Sequence, residues 1–308
     1  MIENKRTSIV AALVAGALLA PPVWADPFFF STGNPDGKIG TLSRPAGNGH
    51  IQTETADDFI LKQNTSINQA SIFGLLPSGT SLASIKNVEV EIYHVFPRDS
   101  AFPPSGNVFT RVNSPSDVEI ASATRDGTAG TLAFSAALVN ARFSVLNTVV
   151  NGINKFPNQF TGGEGPATGI EALITIFFNT PIVLGPDHYF FRPEVELTDG
   201  TFLYLSAPKP ITGGSGPFDP DLQSWIRNDD LAPDWSRIGS DITGQGPFNA
   251  AFSLTGVTVP EPATLALVGL GAILMFGRLR RSRGVARFGQ ANSENLRSSQ
   301  GTLEAQLI

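Results

Sequence analysis

Hydrophobic and polar positions alternate along much of the chain between residues 57 and 259. The segment KNVEVEIYHVF (86–96) shows this most clearly: one side takes Val88, Val90 and Ile92, and the other takes Glu89, Glu91 and Tyr93. A period of two residues is typical of a strand that buries one face. We therefore predict a half-buried strand of an antiparallel sheet at this position.

Further segments are rich in β-branched and aromatic residues and are separated by Gly, Pro, Asn or Asp, which predicts more strands. They are 57–63, 69–76, 130–136, 169–179, 187–197 and 249–259. Asp199-Gly200 lies between two apolar runs in 195–208, which predicts a β-hairpin. Segment 140–153 is compatible with a strand or a short helix, because its apolar spacing is helical but its Val and Thr content is not.

Roughly ten to twelve strands without intervening helices predict an all-β fold, an antiparallel β-sandwich, of which the jelly roll is one arrangement. The 31 glycines and 23 prolines fit many tight turns, and the 22 phenylalanines argue against disorder. The chain contains no cysteine, so its core alone must stabilise it. Thiolate catalysis, cysteine-bound zinc and iron–sulfur clusters are excluded for the same reason.

The N-terminus has the three parts of a secretory signal peptide. Lys5 and Arg6 precede an apolar segment (8–20), and small or tolerated residues follow at Val23 and Ala25. We predict a signal peptide over 1–25 that is cleaved after Ala25. The alternative is an uncleaved anchor, but the apolar segment is short for a membrane span.

A second apolar segment, 263–277, lies near the C-terminus. As a helix it would rise about 22 Å against a hydrocarbon core of about 30 Å, and flanking arginines that snorkel would extend its reach. The positive-inside rule keeps those arginines in the cytoplasm and places the preceding body outside. We predict a transmembrane helix here, with a buried core helix as the alternative. The cytoplasmic stop is formed by Arg278, Arg280, Arg281 and Arg283.

This layout, VPEP followed by an apolar span and an arginine cluster, resembles the PEP-CTERM sorting signal. The motif itself would be Val259, Pro260, Glu261 and Pro262. The two prolines keep the segment extended and accessible to a processing enzyme. The resemblance implies processing by an exosortase, a membrane-embedded transpeptidase-like enzyme. It also implies a Gram-negative host that makes exopolysaccharide, and a location in the cell envelope, at the cell surface or in the extracellular matrix.

The chain thus divides into a signal peptide (1–25), an exported β-sandwich domain (26–258), a sorting signal (259–284) and a polar tail (285–308) that we predict to be disordered. The tail departs from the family, whose members end soon after the arginines. Parts of the body also resemble uncharacterised PEP-CTERM proteins, which implies a β-sandwich with no assigned activity. Those parts are ETADDFIL (54–61), TGGEGP (161–166), DHYFFRPEVEL (187–197) and 225–256.

The exported body is acidic, with 23 Asp and Glu against 13 Lys and Arg in residues 26–260. A surface of this charge does not favour nucleic acid, but it suits divalent cations. Calcium is therefore a candidate ligand, and the alternative is ordinary turn chemistry, because no EF-hand loop is present. The candidate ligands are Asp219, Asp221, Asp229 and Asp230.

Trp225, Trp235 and Arg227 lie in the densest polar and aromatic region of the body. An exposed indole can stack on a sugar ring while neighbouring polar groups bind its hydroxyls, which predicts a glycan-binding site. The alternative is that both tryptophans are core residues.

No catalytic motif is recognisable. The chain has no H-E-x-x-H and no G-x-S-x-G, and its three histidines are isolated in sequence. Asp57 and Asp58 are adjacent on a strand, so they should face opposite sides, one as a cap and one solvated. We predict a non-catalytic structural or adhesive protein without a cofactor. The alternatives are a glycan- or calcium-binding module and a polysaccharide hydrolase with two paired carboxylates.

Overall fold

The structure, a computed structural model, describes residues 25–47, 49–106, 108, 110–153, 160–211 and 221–259. The described residues all belong to the first of the two units into which the chain divides, Met1–Val259. The first unit contains all the described strands: β1 (Pro27–Ser31), β2 (Ile39–Leu42), β3 (Thr53–Leu61), β4 (Thr65–Pro77), β5 (Ile85–Val95), β6 (Pro115–Glu119), β7 (Arg125–Asp126), β8 (Leu132–Val145), β9 (Asn147–Val149), β10 (Ala167–Leu184), β11 (Asp187–Leu197), β12 (Leu203–Ala207), β13 (Trp225–Asn228), β14 (Ser236–Arg237), β15 (Asn249–Ala250) and β16 (Phe252–Thr258). Two short 3-10 helices, Leu82–Ser84 and Ala121–Ala123, and one π-helix, Ile238–Thr243, complete the described elements.

The strands form two sheets. The nine-stranded sheet has the order β1-β16-β4-β12-β2-β9, with β10 also beside β4, β8 beyond β10, and β15 beside β12. The seven-stranded sheet has the order β14-β13-β3-β11-β5-β6, with β7 beside β5. The all-β prediction with two sheets is confirmed. One described strand pair, β2 with β9, is parallel and departs from the predicted antiparallel arrangement.

The main hydrophobic core lies between the two sheets. Val88, Val90 and Ile92 of β5 are buried in it, as their alternation predicts. Both sheets supply its large side chains, among them Phe59, Ile72, Ile174, Ile176, Phe191, Phe252 and Leu254. The first unit contains this core and three smaller clusters, so residues 26–259 hold both sheets and every described core cluster.

The predicted antiparallel strand is present as β5, but much of its outer face is covered, so the expectation that Tyr93 faces solvent is wrong. Tyr93 of β5 is only 1% exposed, although it lies on the predicted polar side. Its ring packs edge-on against Trp235, with 5.6 Å between centroids. The residues that flank β13 (221–224 and 229–235), which we call the covering segment, pack over this face, so the side that should meet water faces other parts of the protein.

The predicted hairpin at 195–208 is also wrong. β11 belongs to the seven-stranded sheet, whereas β12 pairs with β2 and β4 of the nine-stranded sheet. Gly200 does adopt the left-handed conformation of a turn residue, with φ of 86°. The turn therefore carries the chain from one sheet to the other. The ambiguous segment 140–153 forms the end of β8 and all of β9, so its strand alternative holds.

Within the described residues, no helix is both long enough and apolar enough to cross a membrane. The predicted apolar segments 8–20 and 263–277 lie outside those residues, as does the polar tail 285–308.

Candidate functional site

The beginning of the sorting segment is fixed by the last strand of the domain. The backbone N–H of Thr258 donates to the carbonyl of Asp26 at 2.8 Å, and the Asp26 N–H donates to Thr258 Oγ1 at 3.0 Å. Val259 N–H donates to the carbonyl of Asn64 at 2.7 Å. Asp26, which follows the predicted cleavage point at Ala25, thus lies beside the start of the sorting segment. The sequence did not predict that Asp26 and Thr258 would be in contact.

The rest of the predicted sorting signal lies outside the described residues. This applies to Pro260, Glu261 and Pro262 of the motif and to Arg278, Arg280, Arg281 and Arg283 of the predicted stop.

A charged cluster occupies the outer face of the seven-stranded sheet, where the sequence pattern predicted solvent. Strand register brings Arg192 opposite Glu91, Glu194 opposite Glu89, and Arg227 opposite Glu54. We call these six residues the arginine cluster. The sequence signal for it is the recurrence of charged residues two apart on strands that become neighbours: Glu89 and Glu91 on β5, and Arg192 and Glu194 on β11.

Arg192 is the centre of the cluster and is 1% exposed. Its guanidinium lies against four carboxylates: Nη1 is 2.8 Å from Glu194, Nε is 3.2 Å from Glu54, and Nη2 is 3.6 Å from Glu89 and contacts Glu91. The Nε and Nη1 contacts are ion pairs without an aligned N–H···O bond. Removing a charge of this kind from water is costly, so the surrounding carboxylates are what keep it in place.

Arg227, a predicted glycan contact, belongs to the same cluster and is 7% exposed. It contacts the Glu54 carboxylate, and its Nη2 donates to the Tyr93 hydroxyl at 3.0 Å. Its guanidinium stacks over the Trp235 ring at 4.3 Å from the centroid. These contacts use the side chain inside the protein, and none of them presents it to an external ligand.

The cluster holds four carboxyl groups for two guanidinium groups, and this imbalance appears in the pKa values. Burial raises the pKa of Glu194 to about 8 and that of Glu89 to about 7, against the opposing attraction of Arg192. Burial also disfavours ionised Glu91, but Arg192 and a hydrogen bond from Tyr93 outweigh it and lower its pKa. The raised pKa values of Glu194 and Glu89 therefore reduce the negative charge that the two arginines face.

Trp225 and Trp235 are 1% and 0% exposed, so both are core residues, as the alternative interpretation of the sequence predicted. They pack with Ala56, Phe190 and Leu222 on the outer face of the seven-stranded sheet. The Trp235 indole N–H donates to the carbonyl of Ser116 at 3.2 Å. This corrects the expectation of an exposed stacking face, because both rings are enclosed by the protein.

The candidate calcium ligands have separate partners. Asp221 is buried, pairs with Lys209 Nζ at 3.1 Å, and accepts from the Asn249 amide at 3.3 Å. Asp229 is exposed and accepts the backbone N–H of Gln52 at 3.0 Å, and Asp230 is exposed beside it. Asp219 lies outside the described residues. Among the residues that the structure describes, no group of three or more His, Asp or Glu side chains is placed to hold a metal ion, and calcium binding stays a prediction.

Asp57 and Asp58 do face opposite sides of β3, but the expectation that one is solvated is wrong. Asp57 accepts from Ser224 Oγ at 2.9 Å and from the N–H of Ala250 at 2.8 Å. Asp58 lies 2.6 Å from His188 Nε2 and accepts the N–H of Leu222 at 2.9 Å. Burial raises the pKa of both carboxyls. Both therefore fasten the covering segment to the sheet, which is buried on both faces.

One cavity of about 330 Å³ opens beside this covering segment. Its lining combines apolar groups with polar ones: Val112, Asp221, Leu222, Gln223, Trp225 and Arg237. The indole N–H of Trp225 has no hydrogen-bond partner among the described residues. A mixed lining and a volume in the range of about 300–1,000 Å³ suit a small ligand.

Comparison with known families identifies the C-terminal segment. The family model described as the PEP-CTERM protein-sorting motif matches residues 258–281. The chain therefore carries a PEP-CTERM sorting motif, which marks an exported, membrane-processed protein of the cell envelope that an exosortase handles. A search of curated proteins finds no significant match.

Proposed function

We propose that this protein is a non-catalytic structural or adhesive component of the cell surface or exopolysaccharide matrix of a Gram-negative bacterium. The observation that carries the proposal is the sorting motif at 258–281, which begins at Thr258, the last residue of the last strand of an all-β domain. An N-terminal signal peptide would export the β-sandwich, and the exosortase would then process it at the membrane.

The use of its polar groups supports a non-catalytic role. The adjacent Asp57 and Asp58, His188 and both arginines of the arginine cluster make internal contacts that join strands or fasten the covering segment. Groups engaged in this way stabilise the domain. The proposal therefore assigns the function to the protein's surface and to its place in the envelope.

Replacing Glu261 with Ala in the full chain, expressed in the native host, tests the sorting step. Glu261 is the charged residue between the two prolines of the motif, so its loss should leave the unprocessed chain in the membrane fraction. Glu304→Ala, beyond the matched 258–281 segment, is the control and should be processed normally. Unchanged processing of Glu261→Ala would remove the exosortase from the proposal, and a purely cytoplasmic location would defeat the export step.

The cavity beside the covering segment favours a second candidate, a glycan- or calcium-dependent binding module with its site within 219–241. A neutral sugar would fit a lining that mixes apolar groups, an amide and paired charges. Binding here would make the domain adhesive toward the matrix without requiring exposed tryptophans.

The second candidate predicts that residues 26–259 are retarded in gels that contain the host's exopolysaccharide, and that Val112→Arg abolishes the retardation. Val112 is 69% exposed and lines the cavity, so an arginine there would block it without disturbing the core. Val118→Arg is the control, since Val118 is 53% exposed and lies outside the cavity lining. Gels run with and without calcium separate the two ligands. No retardation in either gel, or equal retardation of both variants, would reject this candidate.

A further inference from the structure

The nine-stranded sheet ends in a long edge strand. β8 pairs with β10 on one side, and within the described part of the chain no strand pairs with its other side. An edge of this kind presents a row of backbone donors and acceptors that another strand can bind. β8 is 14 residues long, whereas strands of five or six residues are the norm.

The middle of β8 is uncovered on both faces. Leu138 and Val139 lie where the pairing with β10 becomes irregular, and they are 55% and 50% exposed. The ends of the strand are anchored, because Leu132 and Val145 are 3% and 1% exposed in two different core clusters. The middle of this extended strand thus exposes apolar side chains to solvent.

Free sheet edges are usually protected from pairing with other chains by charged residues or proline, and β8 has few such residues. Between Leu132 and Val145 there is no Lys, Pro, Asp or Glu, and Arg142 is the single charged residue. The pairing with β10 is irregular at two places, which lie between Leu138 and Phe143. Residues 132–138 are opposite 172–178 without interruption, so this half of the edge is the regular one.

The regular half is nearly self-complementary. Its sequence, LAFSAAL, has Leu132 and Leu138 equidistant from Ser135, with Ala133 and Ala137 between them. In an antiparallel pair related by a two-fold axis at Ser135, each leucine lies opposite the other leucine of the second copy. Leu138 is on the same side of the strand as buried Leu132, so pairing would cover its exposed face. Residues 132–138 are uncharged, so two acidic chains can meet here without apposing like charges.

We propose that two copies of this protein associate through β8, antiparallel and with the two-fold axis at Ser135, so that their nine-stranded sheets become continuous. The occupant of the edge is a second copy of the chain. This proposal is independent of the cavity and of the sorting motif, and it holds whichever ligand the surface binds.

Sedimentation equilibrium of residues 26–259 over a concentration series tests the association. We expect a reversible dimer whose dissociation constant rises about tenfold or more in Leu138→Lys, because a charged edge residue opposes strand pairing. The control is Val183→Lys on β10, where Val183 is 63% exposed but lies on a different strand. A wild-type protein that stays monomeric throughout, or a dimer that Leu138→Lys leaves unchanged, overturns the proposal.

The register is tested with single cysteines, each unique because the chain has none. Ser135→Cys lies on the axis and should form a disulfide-linked dimer with itself when a mild oxidant is added, since directly opposed strand residues are within disulfide reach. Ala133→Cys should cross-link to Ala137→Cys in a mixture of the two variants and much less to itself. Cross-linking that favours another register, or none at all, overturns the assigned axis.

Discussion

Replacing Arg192 with Met is expected to lower the free energy of unfolding of residues 26–259 by about 3–5 kcal/mol at pH 7, the loss that accompanies breaking a buried ion pair. Methionine fills much of the space but leaves Glu54 and Glu91 in a buried site without the charge they surround. The penalty comes from the carboxylates that stay behind. Urea unfolding monitored by tryptophan fluorescence measures it, because both tryptophans of the fragment are buried next to the cluster.

The matched control is Lys86→Met. Lys86 pairs with Glu196 at 2.7 Å, but its side chain is 56% exposed, so its loss should cost less than about 1 kcal/mol. Arg192→Lys keeps the charge and should recover part of the stability, although an ammonium lacks the fork that reaches several carboxylates. If Arg192→Met is as stable as Lys86→Met, the buried ion pairs of Arg192 do not stabilise the domain.

The sequence could predict the strands but not how the second layer covers them. Alternation in 86–96 places Val88, Val90 and Ile92 on the core side, because a period of two follows from strand geometry alone. Whether the opposite side meets water depends on a segment more than a hundred residues away, which has no periodic signal. Tyr93, Glu89 and Glu91 therefore read as a solvent face and are instead part of a packed layer.

The hairpin at 195–208 failed for a related reason. Asp-Gly between two apolar runs is a local signal for a turn, and Gly200 does make one. A local turn signal does not specify the partner of the strand that follows the turn. That strand, β12, pairs with strands of the other sheet. The tryptophans show the same limit. Aromatic residues beside carboxylates occur in the sequence both of exposed binding sites and of buried polar layers, so the local sequence does not distinguish the two.

The sorting segment, in contrast, could be recognised from sequence because its information is local. A processing enzyme recognises a short extended motif beside an apolar span, so order along the chain is enough, and the family match to 258–281 agrees with the residues that the pattern indicates. A glycan or metal site requires side chains to converge from distant segments. One sequence gives no measure of that convergence.

The stability of residues 26–259 is expected to fall as pH rises from about 5 to about 8.5. Burial raises the pKa of Glu194 to about 8 and that of Glu89 to about 7, so the folded protein keeps protons that the unfolded chain releases near its ordinary value of about 4.3. The folded state binds more protons throughout this interval, which makes the slope of unfolding free energy against pH negative. The contribution is complete below about pH 4.3 and is lost as pH passes through the folded pKa. The raised pKa values of Asp57 and Asp58 act in the same direction.

For Glu194 alone the expected loss is on the order of 3 kcal/mol across this interval, from a shift of several pKa units at about 1.4 kcal/mol each. Unfolding in urea at pH 5.5 and at pH 8.5 measures the difference. Glu194→Gln should reduce the difference by the share that Glu194 contributes, because glutamine keeps the neutral shape at both pH values. Glu119→Gln, at an exposed position, should leave it intact. Equal pH dependence in Glu194→Gln and in the unaltered protein would mean that Glu194 is ionised in the fold, and that Arg192 and Arg227 face more negative charge than they balance.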